Sequence, residues 1–268
     1  MLILYDGTTS VCAVKVRLVL SEKALNFESR TLDLRKGQQF SPEYTSLNPG
    51  AVVPTLIDSA TGTDEIIIES SVIMQYLDDL APDPPLLPDS PRARAQVRLW
   101  LKRIDDPVHP STGILTHATA FRASFLAKTP QEQKNHLNKI PDPHRRARQK
   151  AVYRDGLAAP LVADAVRVFD KLLADMESTL NNQDFLAGRA YSLADAAATP
   201  YVNRLRDLGL LPVWAKKCPR ISDWFARIEA RASFKEAITD YFTDKDADQF
   251  AGVDEAAPAL ALEIITRS

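Results

Sequence analysis

A hydroxyl and a thiol stand two positions apart, in Thr9-Ser10-Val11-Cys12-Ala13-Val14-Lys15, where a short apolar run gives way to a longer unbroken one. Residues 1–5 read as a strand, Asp6-Gly7 as a turn, and residues 11–25 as a helix with no breaker inside it. The first N–H groups of a helix have no intrahelical partner and carry partial positive charge. A thiolate or a bound anion is stabilised there. Ser10 and Cys12 are therefore the candidate catalytic residues, Ser10 as a donor to a thiolate and Cys12 as a thiol in its own right. The plainer assignment is a Ser10 cap and a small buried Cys12, and this stretch alone favours it.

The elements around them must position that chemistry. Residues 27–34 alternate as a second strand, with Phe27, Ser29, Thr31 and Asp33 on one side. Strand, helix and strand of these lengths imply a parallel pair joined by a right-handed crossover. Residues 37–47 are polar, with a short helix expected from Ser41-Pro42. Residues 55–58 and 65–68 read as strands flanking Thr61-Gly62-Thr63, hence a hairpin. Glu69-Ser70-Ser71 then opens a helix to about Leu80, with Val72, Ile73, Tyr76, Leu77 and Leu80 at helical spacing. This is the thioredoxin-like order.

Pro82, Pro84, Pro85, Pro88 and Pro91 follow and read as a linker. What comes after is helical, with Ser90-Pro91, Thr129-Pro130-Gln131-Glu132 and Ser192-Leu193-Ala194-Asp195 as start signals. Pro107 and Pro110 should break or kink the chain. A long amphipathic helix is expected over 158–180, and a last one after Pro219 with Ile221, Trp224, Phe225 and Ile228 on one face. The organisation is thus 1–81, a linker at 82–90, a helical region at 91–241, and a tail at 242–268. The tail's apolar stretch, 259–265, should fold back over the helices.

With 45% hydrophobic residues, 25% charged residues and a net charge of −2, the chain offers no electrostatic argument for a nucleic-acid partner. Cys12 and Cys218 are the two cysteines, which excludes a disulfide framework and a zinc site built on Cys spacing. No apolar run approaches a membrane span, and no basic-then-apolar leader is visible, so a cytoplasmic, reducing setting is the expectation.

Ser10-Val11-Cys12, Val53-Pro54, Glu69-Ser70 and Ser192–Asp195 after Phe185-Leu186-Ala187-Gly188, spaced around a proline-rich linker, make residues 1–238 resemble the soluble glutathione transferase superfamily. The resemblance implies a thioredoxin-like α/β N-terminal domain followed by an all-α domain, with glutathione bound by the first. Ser10-Val11-Cys12 with Lys15, Arg17-Leu18 and 51–56 looks like bacterial chlorohydroquinone reductive dehalogenases. Ile140-Pro141 and the basic run after it are similar to bacterial β-aryl etherases. On this resemblance Val53, before a cis Pro54, pairs with the ligand main chain, Ser70 holds the γ-glutamyl carboxylate at a helix N-terminus, and Glu69 meets the ammonium. Val52 stands where relatives often carry a polar side chain, which leaves the glycyl carboxylate to Gln39, Lys36 or Arg35, with Gln39 preferred. A twofold homodimer and a small-molecule aromatic or apolar electrophile are implied too.

Two reactions follow. Either glutathione thiolate attacks the electrophile while Ser10 stabilises it, or Cys12 takes glutathione from an adduct as a mixed disulfide in a reductive step. Ser10 is the preferred residue. A non-catalytic glutathione-fold protein that binds apolar ligands is the rival from another class. Without the resemblance, Ser70 is an ordinary cap and Glu69 a solvated acid. His109 and His117 could face a phenol but read first as partly exposed structural residues. Arg145, Arg146, Arg148, Lys150 and Arg154 read as a solvated helix face. Asp78 and Asp79 stand at a helix end where an acid gains nothing from the dipole.

Overall fold

The computed structural model describes residues 1–60 and 62–267; Thr61 of the expected hairpin turn and Ser268 of the tail lie outside the described residues. Four strands, β1 (Leu2–Asp6), β2 (Phe27–Thr31), β3 (Thr55–Asp58) and β4 (Glu65–Ile68), make one sheet in the order β2-β1-β3-β4. β1 is parallel to β2, with Leu2 opposite Phe27, and antiparallel to β3, with Leu4 opposite Leu56. These two central strands are apolar because both faces are covered: Leu4 and Leu56 are fully buried. Helices α1 (Val11–Glu22), α2 (Pro42–Leu47) and α3 (Ser70–Leu80) complete the unit.

Two ends fall short of the sequence pattern for local reasons. β2 stops at Thr31 instead of 34 because the Asp33 carboxylate accepts the backbone N–H groups of Arg35 and Lys36, each at 3.1 Å, and turns the chain. α1 stops at Glu22 instead of 25 because Ala24 takes a left-handed φ of 49°.

Asp78 gains a role that its helix position did not suggest. Its carboxylate accepts the N–H groups of Leu86 (2.9 Å) and Leu87 (3.1 Å) in the linker and pairs with Lys23. Lys23 Nζ also donates to the carbonyls of Ala81 and Pro84. A buried charge pair with its remaining groups hydrogen-bonded is tolerated, and here it staples the linker to α1 and α3.

The helical part comprises α4 (Pro91–Arg103), α5 (His109–Ala118), α6 (Arg122–Leu126), α7 (Pro130–Asn138), α8 (Pro143–Asp155), α9 (Pro160–Leu180), α10 (Leu193–Asp207), α11 (Pro219–Glu229), α12 (Ala232–Phe234), α13 (Asp244–Ala251) and α14 (Ala257–Arg267). The helix after Pro219 is therefore not the last. α10 is the hub, buried from Leu193 to Leu205. Its capping acid Asp195 accepts from Ser192 N, Ser192 Oγ, Leu186 N and Trp224 Nε1. Between α4 and α5, Ile104–Val108 forms a wide π-type turn with Asp106 extended (φ −153°, ψ 114°) ahead of Pro107. This kink carries His109 to the seam between the sheet unit and the helices. α14 packs on α9, and α13 lies along the opening of that seam.

Candidate active site

Ser10 is the N-cap of α1, its Oγ accepting Ala13 N–H at 3.3 Å. Capping uses a lone pair only, so the Ser10 O–H remains available as a donor. Capping and thiolate stabilisation, set against one another in the sequence, are thus compatible in one residue.

Cys12 follows in the first turn. Its Sγ lies 3.5 Å from His109 Nδ1, 3.9 Å from His109 Nε2 and 3.9 Å from the Tyr201 hydroxyl. Tyr201 and His109 Nδ1 are 3.3 Å apart. Burial pushes the Cys12 thiol up, but the charge and hydrogen bond of His109, with Lys15 and Ser70, outweigh it and bring it down to about 6. The facing Cys12 charge, reciprocally, raises His109. The second cysteine behaves oppositely: burial raises Cys218 to about 11. Lys15 is fully buried and reaches Asp105 Oδ1 at 2.8 Å and Ser71 Oγ at 3.0 Å, tying α1 to α3 and to the kink.

The residues assigned to glutathione lie along one edge. Val53-Pro54 is cis. The Val52 carbonyl is taken by Tyr44 Oη and by Asn48 Nδ2 (3.0 Å), whereas the Val53 main chain makes no hydrogen bond among the described residues. Ser70 is buried at the N-terminus of α3. Glu69 precedes it at φ 69°, a left-handed conformation that costs a non-glycine residue about 1 kcal/mol or more and that clusters at ligand sites. Its carboxylate has no partner among the described residues. An unpaired strand-like main chain, a helix start and a free acid fit the amide, carboxylate and ammonium of the γ-glutamyl end. Gln39 donates Nε2–H to the Leu34 carbonyl at 3.3 Å and leaves Oε1 buried without a partner. That orientation offers an acceptor, so holding a carboxylate requires the Gln39 amide to turn over. Of its alternatives, Arg35 is engaged by Asp246 and Gln249, and Lys36 is exposed beside Asp33.

Ser10, Cys12, His109, Gln39, Val53, Pro54, Glu69 and Ser70 line one cavity of about 1000 Å³. Its far wall is aromatic: Phe121, Phe125 and Tyr153, with Phe125 stacked on Tyr153 at 3.8 Å. His117 belongs to that wall, half-buried and hydrogen-bonded, in line with the structural reading. Its Nδ1 is 2.7 Å from the Tyr153 hydroxyl, its Nε2 is 3.0 Å from Gln149, and burial drives it down to about 3. Arg145, expected on a solvated face, also lines the cavity and donates to the Gly50 carbonyl at 3.3 Å. Thr243 and Gln249 close the rim from the tail.

Tyr201 and Asp105 were not singled out from the sequence. Tertiary packing carries Tyr201 to Cys12 and Asp105 to Lys15, and neither stands in a motif that would have flagged it. α13 did leave a signal, the Thr243–Asp246 capping box, which holds in the structure.

A thioredoxin-like sheet with a thiol-binding edge, closed by a helical bundle that supplies an apolar pocket, defines the glutathione transferase architecture. Family models for the glutathione S-transferase N-terminal domain and C-terminal domain match residues 9–80 and 116–232, and the chain belongs to that family. Glutathione is the thiol its members use. The chain is 30% identical over 239 residues to Protein LigF of Sphingobium sp. strain SYK-6, covering 87% of this chain and 91% of that one. The crystal structure of that protein, described as a beta-etherase, matches with a TM-score of 0.80 at 29% identity, over 88% of this chain and 98% of the other. FtsZ-localized protein A of Caulobacter vibrioides is 28% identical over 226 residues, covering 84% and 86%. Tetrachloro-p-hydroquinone reductive dehalogenase of Sphingobium chlorophenolicum is 26% identical over 244 residues, covering 87% and 94%. Among the described residues no helix is long and apolar enough to cross a membrane, and no group of His, Cys, Asp and Glu is placed to hold a metal.

Proposed function

We propose that this glutathione transferase acts on bulky aromatic electrophiles and cleaves β-aryl ethers thiolytically, releasing a phenol. One observation carries the reading: a single cavity of about 1000 Å³ joins Ser10, Val53 and Ser70 to the ring wall of Phe121, Phe125 and Tyr153. Ser10 donates its free O–H to the glutathione sulfur beside the N-terminus of α1. Each unit by which the thiol pKa falls favours the thiolate by about 1.4 kcal/mol. Val53, Glu69, Ser70 and Gln39 orient the peptide, and the aromatic wall excludes water from the aryl group. The similarity to a β-etherase supports the substrate class.

The test is glutathione-dependent phenol release from a β-aryl ether dimer, with a generic aryl halide alongside to detect simple conjugation. Ser10→Ala should slow turnover by roughly 1 to 3 kcal/mol of lost stabilisation, about 5- to 150-fold. Glutathione should raise the melting temperature. No phenol, no aryl conjugate and no thermal shift together would leave only the apolar-ligand carrier.

The Cys12–His109 contact favours a second reading, a reductive one. Cys12 thiolate attacks the sulfur of a glutathionyl adduct, the carbon–sulfur bond breaks, and the carbon takes a proton; a further glutathione releases Cys12 and leaves as its disulfide. Cys12→Ala would then stop turnover with adduct accumulating, and mass spectrometry would find glutathione on Cys12.

A cytoplasmic homodimer is part of the proposal, as is the division into 1–81, 82–90, 91–241 and 242–268.

A further inference from the structure

The structure assigns His109 a role of its own: it is the general acid of the site, kept as an imidazolium by the Cys12 thiolate, and it protonates the aryloxide as the ether bond breaks. This rests on the thiolytic reading above and makes Cys12 a counter-ion instead of a nucleophile. The balance is simple. A sulfur–carbon bond forms from the glutathione thiolate, the carbon–oxygen bond breaks with its electron pair on oxygen, and the His109 proton moves to that oxygen. The proton lost by the glutathione thiol returns to His109 through solvent, so thiol and ether give thioether and phenol with no oxidant or reductant consumed.

The hydrogen-bond inventory leaves one proton for this purpose. Tyr201 is fully buried, and its hydroxyl has two neighbours among the described residues, Cys12 Sγ and His109 Nδ1. A doubly protonated His109 donates Nδ1–H to Tyr201, and Tyr201 turns its own O–H to the thiolate. Nε2–H, 3.9 Å from Sγ, has no other partner and belongs to an exposed ring in the cavity wall. Tyr201 is thus a positioning residue that fixes the ring and leaves Nε2 to the substrate.

The charges facing His109 are Cys12 and Lys15 from α1, Asp105 from the kink, and the polar Tyr201 from α10. Lys15 and Asp105 act in opposite senses and are bonded to one another at 2.8 Å, so they largely cancel. Cys12 remains the group that decides the protonation of His109.

Two measurements test this, one without substrate. Nuclear magnetic resonance titration of the ligand-free protein should place His109 above the ordinary histidine value in the wild type, and bring it down in Cys12→Ala, where the facing charge is gone. In Cys12→Asp, where a carboxylate replaces the thiolate at a helix start that tolerates it, the elevation should persist. In phenol release, His109→Gln should slow ethers with the poorest leaving phenols by roughly 10²- to 10⁴-fold and the best ones far less. Cys12→Asp should lose less turnover than Cys12→Ala, because only the first restores a negative charge opposite His109. His109→Asn serves as the second variant, and a melting curve confirms that each protein is folded. Tyr201→Phe should shift the pH profile with little change in melting temperature.

Wild-type thiolysis with an unchanged leaving-group dependence in His109→Gln would overturn the acid role alone. Cys12→Asp as inactive as Cys12→Ala, with glutathione on Cys12 of the wild type, would overturn the counter-ion role and favour the reductive path. A wild type that releases no phenol would remove the parent reading and the proton's recipient with it, while the titration would still decide the pairing.

Discussion

His109 and His117 stand at the two ends of α5 and are driven in opposite directions by what faces them. At the seam the facing Cys12 charge raises His109; beside Tyr153, Gln149 and aromatic rings, burial lowers His117 to about 3. A buried neutral histidine stabilises the fold only while the unfolded chain is neutral too. Above about 6.5 both states are unprotonated and the contribution is complete. As the pH falls below that value, the unfolded chain binds a proton that the folded one refuses, and stability drops by about 1.4 kcal/mol per unit towards pH 3. By about pH 5 the loss from His117 alone should reach roughly 2 kcal/mol. Urea titrations at neutral pH and near pH 5 measure it: His117→Gln should show a shallower fall than the wild type. An identical fall would assign the acid sensitivity elsewhere.

At the scale of elements, what was legible followed local chemistry. Thr55–Asp58 and Glu65–Ile68 form strands over the residues read from their pattern, and the Ser192–Asp195 and Thr129–Glu132 boxes open α10 and α7. What was illegible depends on residues far apart in sequence meeting in space. Cys12 and His109 are 97 positions apart and meet because the chain at Ile104–Val108 widens and turns; Pro107 announced a break but not its direction. Asp78 needed Lys23, and the preference for Ser10 over Cys12 could not weigh a histidine that no motif placed nearby. The tail lacked periodicity because α13 buries only Asp246 and Phe250. Those two do much: Asp246 accepts from Thr8 and pairs with Arg35, while Phe250 packs on Phe121 and under the Arg204 guanidinium. Truncation after Thr243 would strip these partners from the cavity rim and remove α14 from α9. The truncated protein should melt lower and lose selectivity among aryl groups of different size, while Cys12 keeps its low pKa. Unchanged melting and selectivity would make the tail a passive extension.

Across the whole molecule, charged side chains lock the sheet unit to the helices around the site. Arg17, paired with Asp6, donates to the Ala237 carbonyl; Arg204 donates to the Thr9 carbonyl beside Ser10; Arg231 pairs with Glu22. The site is therefore held within one chain, and assembly is a separate question. Large apolar side chains stay exposed outside the cavity lining: Ile66 and Ile68 on β4, Val72 in the first turn of α3, and Leu99 on α4, the last 57% exposed. Edge strands of this kind are usually covered or charged, and apolar residues spread over β4, α3 and α4 suit a twofold contact in which the sheet unit of one chain meets the helices of its partner. Light scattering at micromolar concentration should give twice the chain mass. Val72→Glu with Leu99→Glu should shift the population towards monomer by placing charge where apolar groups would otherwise meet, while the alkylation rate of Cys12 and its fall below about pH 6 stay as in the wild type. A wild type that is monomeric at that concentration would remove the dimer and leave the chemistry of the single chain standing. Dimers that persist in the double variant would place the contact on another face.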